Sequence, residues 1–156
     1  MTPFGHLALS VLLSRPFGAD RRALALCLAG AVVPDLVDKP LFALELVPVA
    51  HTVGHSVLTV GLLGLVAARY RVLAPVVVGW ASHVAADLVV AYPKFLVNYA
   101  WPVLGPRPTP DDAFLAYWID YAASGFGAVE ALLVGAALVS AYRRGLHWVA
   151  LDAADR

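Results

Sequence analysis

Apolar residues fill most of this chain in stretches that end at proline, arginine or aspartate, a pattern that predicts helices rather than strands. Five helical segments are predicted, over residues 2–14, 20–33, 51–68, 72–92 and 109–142. At 1.5 Å per residue the first two cover roughly 20 Å each, less than the ~30 Å hydrocarbon core of a bilayer. The last three are long enough to span it.

The composition indicates that this helical protein is a membrane protein. The 156 residues are 61% hydrophobic and only 14% charged, with a mean hydropathy of +0.77. We therefore expect an all-α, multi-pass membrane helical bundle of about five helices, three full spans plus two short ones, forming one domain over 1–156. The net charge is zero and no basic run is present, which argues against nucleic acid as a partner. Whether the short helices cross the bilayer, and the oligomeric state, stay open.

Arginines cluster at one set of helix ends. Seven of them flank the predicted segments on one side: Arg15, Arg21, Arg22, Arg69, Arg71, Arg143 and Arg144. The positive-inside rule places that side in the cytoplasm, which gives a cytoplasmic C-terminus if the short segments cross.

Potential metal ligands gather on the opposite side. They are His6, Asp35, Asp38, His51, His55, His83 and Asp87. His51 and His55 are four residues apart, as are His83 and Asp87, and this spacing puts two side chains on one face of a helix. Ionisable groups at membrane depth are costly and usually functional. We therefore expect an extracytoplasmic metal site.

A mixed set of histidine and aspartate suits a catalytic zinc or a multinuclear site, with manganese or iron as alternatives. Asp38 is the candidate general base, although it could instead cap a turn or pair with Lys39. Glu130 is predicted to lie mid-helix and far from the site. Asp120 could orient a ligating histidine. Lys94 and Arg107 could meet a phosphate or simply be interfacial, and His147 is predicted to be interfacial.

The order of several short motifs resembles the YdjM-type family of membrane-bound metal-dependent hydrolases. The motifs are Gly5-His6, Val33-Pro34-Asp35 with Asp38, His55-Ser56, Ser82-His83 with Asp87, and Trp101-Pro102. The resemblance covers about the first two-thirds of the chain. It implies metal-dependent hydrolysis, and a fold similar to the helical fold of zinc-dependent phospholipase C. In the family, one residue usually separates the two aspartates after the proline, whereas two separate Asp35 from Asp38 here.

Three functions are compatible with these observations. The first is hydrolysis of an ester or phosphoester, plausibly lipid-linked, by a metal-activated water. The second is metal binding or transport, which requires polar residues continuing across the bilayer. The third is a structural membrane protein whose polar groups pair without metal.

Overall fold

A computed structural model describes residues 1–91, 96–107 and 114–145. Within these ranges the all-helical prediction is confirmed. The α-helices are α1 (Pro3–Leu13), α2 (Arg21–Ala43), α3 (Val57–Arg69), α4 (Ala74–Ala91), α5 (Phe114–Ala123) and α6 (Gly125–Arg143). Three short 3-10 turns join them, at Arg15–Phe17, Arg71–Leu73 and Leu96–Ala100.

The second helix is longer than predicted. The expected stop at residues 33–34 is wrong, because α2 runs through Pro34 and Pro40 to Ala43. Each proline removes one backbone hydrogen bond, a loss that packed membrane helices tolerate when neighbouring groups compensate. This extension places both Asp35 and Asp38 on a helix.

The third helix is shorter than predicted and the fifth segment is divided. Ser56 caps α3 through a hydrogen bond from Leu58 N, so the helix begins at Val57 and not at residue 51. Ser124 caps α6 in the same way, by accepting from Gly127 N, and separates it from α5. The predicted start of the fifth segment, around residues 109–112, lies outside the described residues.

Helices α2 and α4 cross with their backbones in contact. A Cβ atom built on Gly79 would lie 1.8 Å from Cys27 O, and one built on Gly30 would lie 2.1 Å from Val76 O. Only glycine fits at these two positions, as is common where membrane helices approach closely. The crossing fixes the distance between Asp35 on α2 and His83 on α4.

The bundle has two chemically different ends. At one end, Arg144, the C-cap of α6, donates to Val11 O, Ser14 Oγ and Gly18 O, and so connects the end of α6 to the end of α1 and the turn after it. Arg22 and Arg71 also lie at this end, where they line one cleft. The candidate ligands follow along α2 and α4 at the other end. We call these the arginine end and the histidine end.

In the part of the chain that the structure describes, two helical stretches are long and apolar enough to cross a membrane, Arg71–Val90 and Gly125–Arg143. The predicted third full span is not shown, because α3 has only 13 residues and covers about 20 Å. On α6 the side chains of Leu132 and Leu138 are 74% and 67% exposed. This helix therefore differs from the buried core helix of a soluble protein.

Candidate metal centre

Six of the seven predicted ligands come together at the histidine end. His6 comes from α1, Asp35 from α2, and His83 with Asp87 from α4. His51 and His55 come from the irregular segment 44–56. They form three overlapping groups in which the ligand atoms all lie within 4.8 Å of one another: His6, His83, Asp87; Asp35, His55, His83; and His51, His55, Asp87.

The middle of this cluster is the pair His55 and His83. Their Nε2 atoms are 3.1 Å apart. Asp87 Oδ2 lies 3.6 Å from Nε2 of His55 and 3.3 Å from that of His83. Asp35 Oδ1 approaches the same two nitrogens from another side, at 3.7 and 4.0 Å. Four potential ligand atoms from three chain segments thus face one small volume.

The outer nitrogens of the two rings determine which tautomer each histidine adopts. His55 Nδ1 lies 2.8 Å from Asp38 Oδ2, and His83 Nδ1 lies 2.6 Å from Ala31 O. Both partners are oxygen acceptors, so each Nδ1 carries a proton. In the neutral rings both Nε2 atoms then present lone pairs to each other and to two carboxylates. This arrangement requires a positive charge at its centre, either a metal ion or a proton. Two imidazole nitrogens and two carboxylate oxygens are ligand atoms that fit a divalent metal.

Asp38 lies behind this centre and belongs to none of the three groups. Its Oδ2 accepts from the backbone N–H of Thr52 at 2.7 Å and of His55 at 3.1 Å, in addition to the His55 ring. Its Oδ1 accepts from Gly54 N at 2.9 Å and from Thr52 Oγ at 3.2 Å. With both oxygens occupied and no exposed surface, Asp38 is placed to orient the His55 ring, while its expected roles as a metal ligand and general base stay predictions.

Asp87 joins the centre to helix α1. Its Oδ1 lies 3.1 Å from His6 Nε2 and 2.9 Å from the nitrogen of Met1. The His6 ring stacks on His83 with centroids 3.7 Å apart and planes 9° apart. His6 Nδ1 is buried and has no hydrogen-bond partner among the described residues. His6 is therefore a ligand candidate held by stacking and by one carboxylate.

His51 and His55 differ in how readily they take a proton. Burial lowers the pKa of His51 to about 4, and neighbouring His55 acts in the same direction. His51 is therefore neutral at pH 7 and can offer a lone pair to a metal. Burial also lowers the pKa of His55, but hydrogen bonds to Asp38 and Asp87 outweigh it, so the pKa is raised overall. At His55 a proton and a metal ion thus compete for the same nitrogen.

Glu130 lies closer to the centre than its place in the sequence suggested. Because α6 begins only at Gly125, Glu130 is near the histidine end. Its Oε2 accepts from Thr2 N at 3.0 Å and from Tyr121 Oη at 2.7 Å, and its Oε1 accepts from Thr2 Oγ. Glu130 thus holds the start of α1, which carries His6, against α5 and α6.

The other polar candidates are more peripheral. Asp120 is exposed on α5, and among the described residues Asp38 is the carboxylate that orients a histidine. Arg107 is exposed, and its backbone N–H and carbonyl bind the side chain of buried Asn98. Lys39 pairs with Asp35 at 2.6 Å and not with Asp38. Lys94 and His147 lie outside the described residues.

Several residues that build the site were not singled out from the sequence. Thr52 and Gly54 supply backbone donors to Asp38, and buried Tyr99 lies against the rings of His51 and His55, at 6.2 and 6.4 Å between centroids. Backbone donors carry no signature in side-chain type. Tyr99 lies beside Trp101 in the sequence, and tyrosine and tryptophan together are equally typical of a membrane interface.

The described His/Asp groups could hold a metal ion, and because His55, His83 and Asp87 each belong to two groups, neighbouring ions could share ligands. The geometry does not select one metal.

Comparisons with protein-family models, curated proteins and solved structures find no match to this chain.

Proposed function

We propose that this protein is a membrane-bound metal-dependent hydrolase acting on an ester or phosphoester. The observation that carries the proposal is the convergence of two imidazole lone pairs and two carboxylate oxygens between His55, His83, Asp35 and Asp87. Burying these lone pairs and carboxylates together without a cation would lower the free energy of unfolding. The resemblance of the motif order to the YdjM-type family supports hydrolysis as its use.

Zinc is the proposed metal, with manganese or iron as alternatives, because imidazole and carboxylate ligands suit all three. His55, His83, Asp35 and Asp87 would hold it, and His6 and His51 extend the ligand set on either side. A divalent metal there would lower the pKa of a bound water toward neutrality and polarise a phosphoryl or carbonyl oxygen. Asp38 keeps the His55 ring in the tautomer that offers Nε2 to the metal.

The membrane location is supported by the two candidate spans and by the exposed leucines of α6. We propose that the histidine end faces the extracytoplasmic side, because the arginines at the other end follow the positive-inside rule. A site at this depth suits a substrate presented by the lipid bilayer, such as a lipid-linked phosphoester.

The first test is the metal content of the purified chain in detergent, without a histidine tag, by elemental mass spectrometry. We expect at least one equivalent of zinc, manganese or iron in the native protein and its loss from His83→Ala/Asp87→Ala. Asp120→Asn is the matched control, because it removes an exposed carboxylate on α5. A native protein that binds no metal even after reconstitution contradicts the metal site and favours a proton-linked structural cluster.

The second test is a panel of phosphomonoester, phosphodiester and lipid ester substrates, with the metal-loaded protein. Turnover that disappears in His83→Ala/Asp87→Ala and persists in Asp120→Asn supports hydrolysis. If the loaded protein cleaves none of them while metal crosses liposomes that contain it, hydrolysis is abandoned in favour of transport.

A further inference from the structure

The arginine end contains a cleft that the proposed hydrolysis does not use. It has a volume of about 300 Å³ and lies where the 3-10 turn before α2 meets the turn before α4. Arg22, in the first turn of α2, and Arg71, in the turn before α4, both line it, so two positively charged residues from separate elements border the same space. Arg22 is 13 residues before Asp35 on α2, so the cleft is about 20 Å from the metal centre.

The positive charge of this cleft is only partly balanced by the described residues that line it. Among the described residues that line it, Asp20 is the one acidic side chain, and Asp20 Oδ1 already accepts from the backbone N–H of Arg22 as the cap of α2. Two guanidinium groups against one carboxylate leave an excess of positive charge. A phosphate group, which arginine binds with two parallel hydrogen bonds, would complete the balance.

The remaining walls of the cleft are apolar. Phe17, Leu26 and Pro75 line it beside the arginines. Val72 also lines the cleft, and its side chain is 59% exposed. A free phosphate would gain nothing from these walls, whereas a lipid can place its headgroup at the arginines and its acyl chains along the apolar surface. Basic pockets between membrane helices on the cytoplasmic side bind anionic lipid headgroups in this way.

We infer that Arg22 and Arg71 form a binding site for an anionic phospholipid at the arginine end of the bundle. The site is separate from the metal centre and requires neither metal nor hydrolysis. A lipid bound there would bridge the first turn of α2 and the turn that precedes α4, and would hold together the arginine ends of the two helices that cross at Gly30 and Gly79.

The test is a titration of the delipidated full chain in nonionic detergent, followed by native mass spectrometry, with phosphatidylglycerol and phosphatidylcholine as probes. Arg22→Gln/Arg71→Gln removes the pair. Arg15→Gln/Arg143→Gln removes the same charge at the same end, from residues outside the cleft lining. One arginine near an anionic lipid changes affinity on the order of fivefold, so we expect roughly 25-fold weaker phosphatidylglycerol binding in the first variant.

Selective retention of phosphatidylglycerol, lost in Arg22→Gln/Arg71→Gln and kept in Arg15→Gln/Arg143→Gln, supports the site. Equal weakening in both double variants would mean general electrostatic attraction and would overturn it, as would equal retention of phosphatidylcholine. Displacement of the lipid by millimolar inorganic phosphate would identify a free-anion site instead. Circular dichroism checks the fold, and if the double variant does not fold, Arg22→Gln and Arg71→Gln are each expected to weaken binding on the order of fivefold.

Discussion

Replacing Asp38 with asparagine tests whether this residue positions His55. The amide keeps the shape of the side chain but has one acceptor oxygen instead of two. If the oxygen takes the place of Oδ2, the NH2 group faces Gly54 N–H and Thr52 Oγ. The threonine hydroxyl can turn to accept, but the glycine N–H cannot, so a buried donor loses its partner. That loss costs about 1–3 kcal/mol of the free energy of unfolding.

We expect the same substitution to lower the affinity for a metal ion bound at the proposed centre. The His55 Nδ1–H would donate to a neutral amide at best, so the ring is less firmly fixed and its Nε2 is less basic. Loss of such a supporting carboxylate typically lowers metal affinity by about 10–100-fold. Competition with a calibrated chelator measures the affinity, and thermal unfolding measures the stability. Thr52→Val is the matched control, because it removes only the 3.2 Å bond from Thr52 Oγ and leaves the carboxylate on His55. We expect it to cost about 0.5–1.5 kcal/mol of stability and to leave metal affinity unchanged.

Two results would refute this reasoning. If the Asp38→Asn protein binds metal as tightly as the native protein, the His55 ring does not need a hydrogen bond to a carboxylate to bind the metal. Complete loss of stoichiometric metal from a folded Asp38→Asn protein would make Asp38 a ligand, the role that the sequence suggested.

Three further predictions concern the packing and the ligand set. Gly79→Ala forces α2 and α4 apart and should lower both the melting temperature and the metal content. In the control Gly64→Ala a Cβ meets nothing within 4 Å, so this variant should be neutral or stabilise the protein by up to about 1 kcal/mol. Equal melting temperatures for the two variants would contradict the close crossing of α2 and α4. Glu130→Gln should weaken metal binding several-fold through His6, while Ser140→Ala, which removes a buried hydroxyl without a partner among the described residues, should not. Removing the metal with a chelator should lower the melting temperature of the native protein and leave that of His83→Ala/Asp87→Ala unchanged, because only a bound ligand adds stability by mass action.

The sequence pattern predicted which His and Asp side chains come together better than it predicted the helices that carry them. For His83 and Asp87 the reasoning holds, since both lie on α4 and Nε2 and Oδ2 are 3.3 Å apart. For His51 and His55 the two rings do meet, at 4.4 Å between centroids, but no helix brings them together. Spacing alone cannot distinguish an i, i+4 pair on a helix from two residues of a folded loop.

Glu130 shows a different limit of periodicity. The largely apolar stretch 109–142 predicted one long helix, in which Glu130 would lie about midway. Ser124 instead ends one helix and caps the next, so α6 starts later and Glu130 reaches Thr2 at the histidine end. A serine within a membrane helix is common, and only its backbone conformation reveals a break.

The segment 44–56 explains why the role of Asp38 could not be read from the sequence. The segment is fixed by backbone groups, because three of its N–H groups donate to Asp38 and a Cβ on Gly54 would lie 2.5 Å from Pro34 O. The continuation of α2 through Pro34 is what brings Asp38 beneath this loop. There both of its oxygens accept hydrogen bonds, from Gly54 N and from His55 N among others, which no pattern of side-chain types predicts. The loop holds His55 and the helices hold His83 and Asp87, so these side chains are in position before a metal binds. Metal binding there would not carry the entropic cost of ordering the loop.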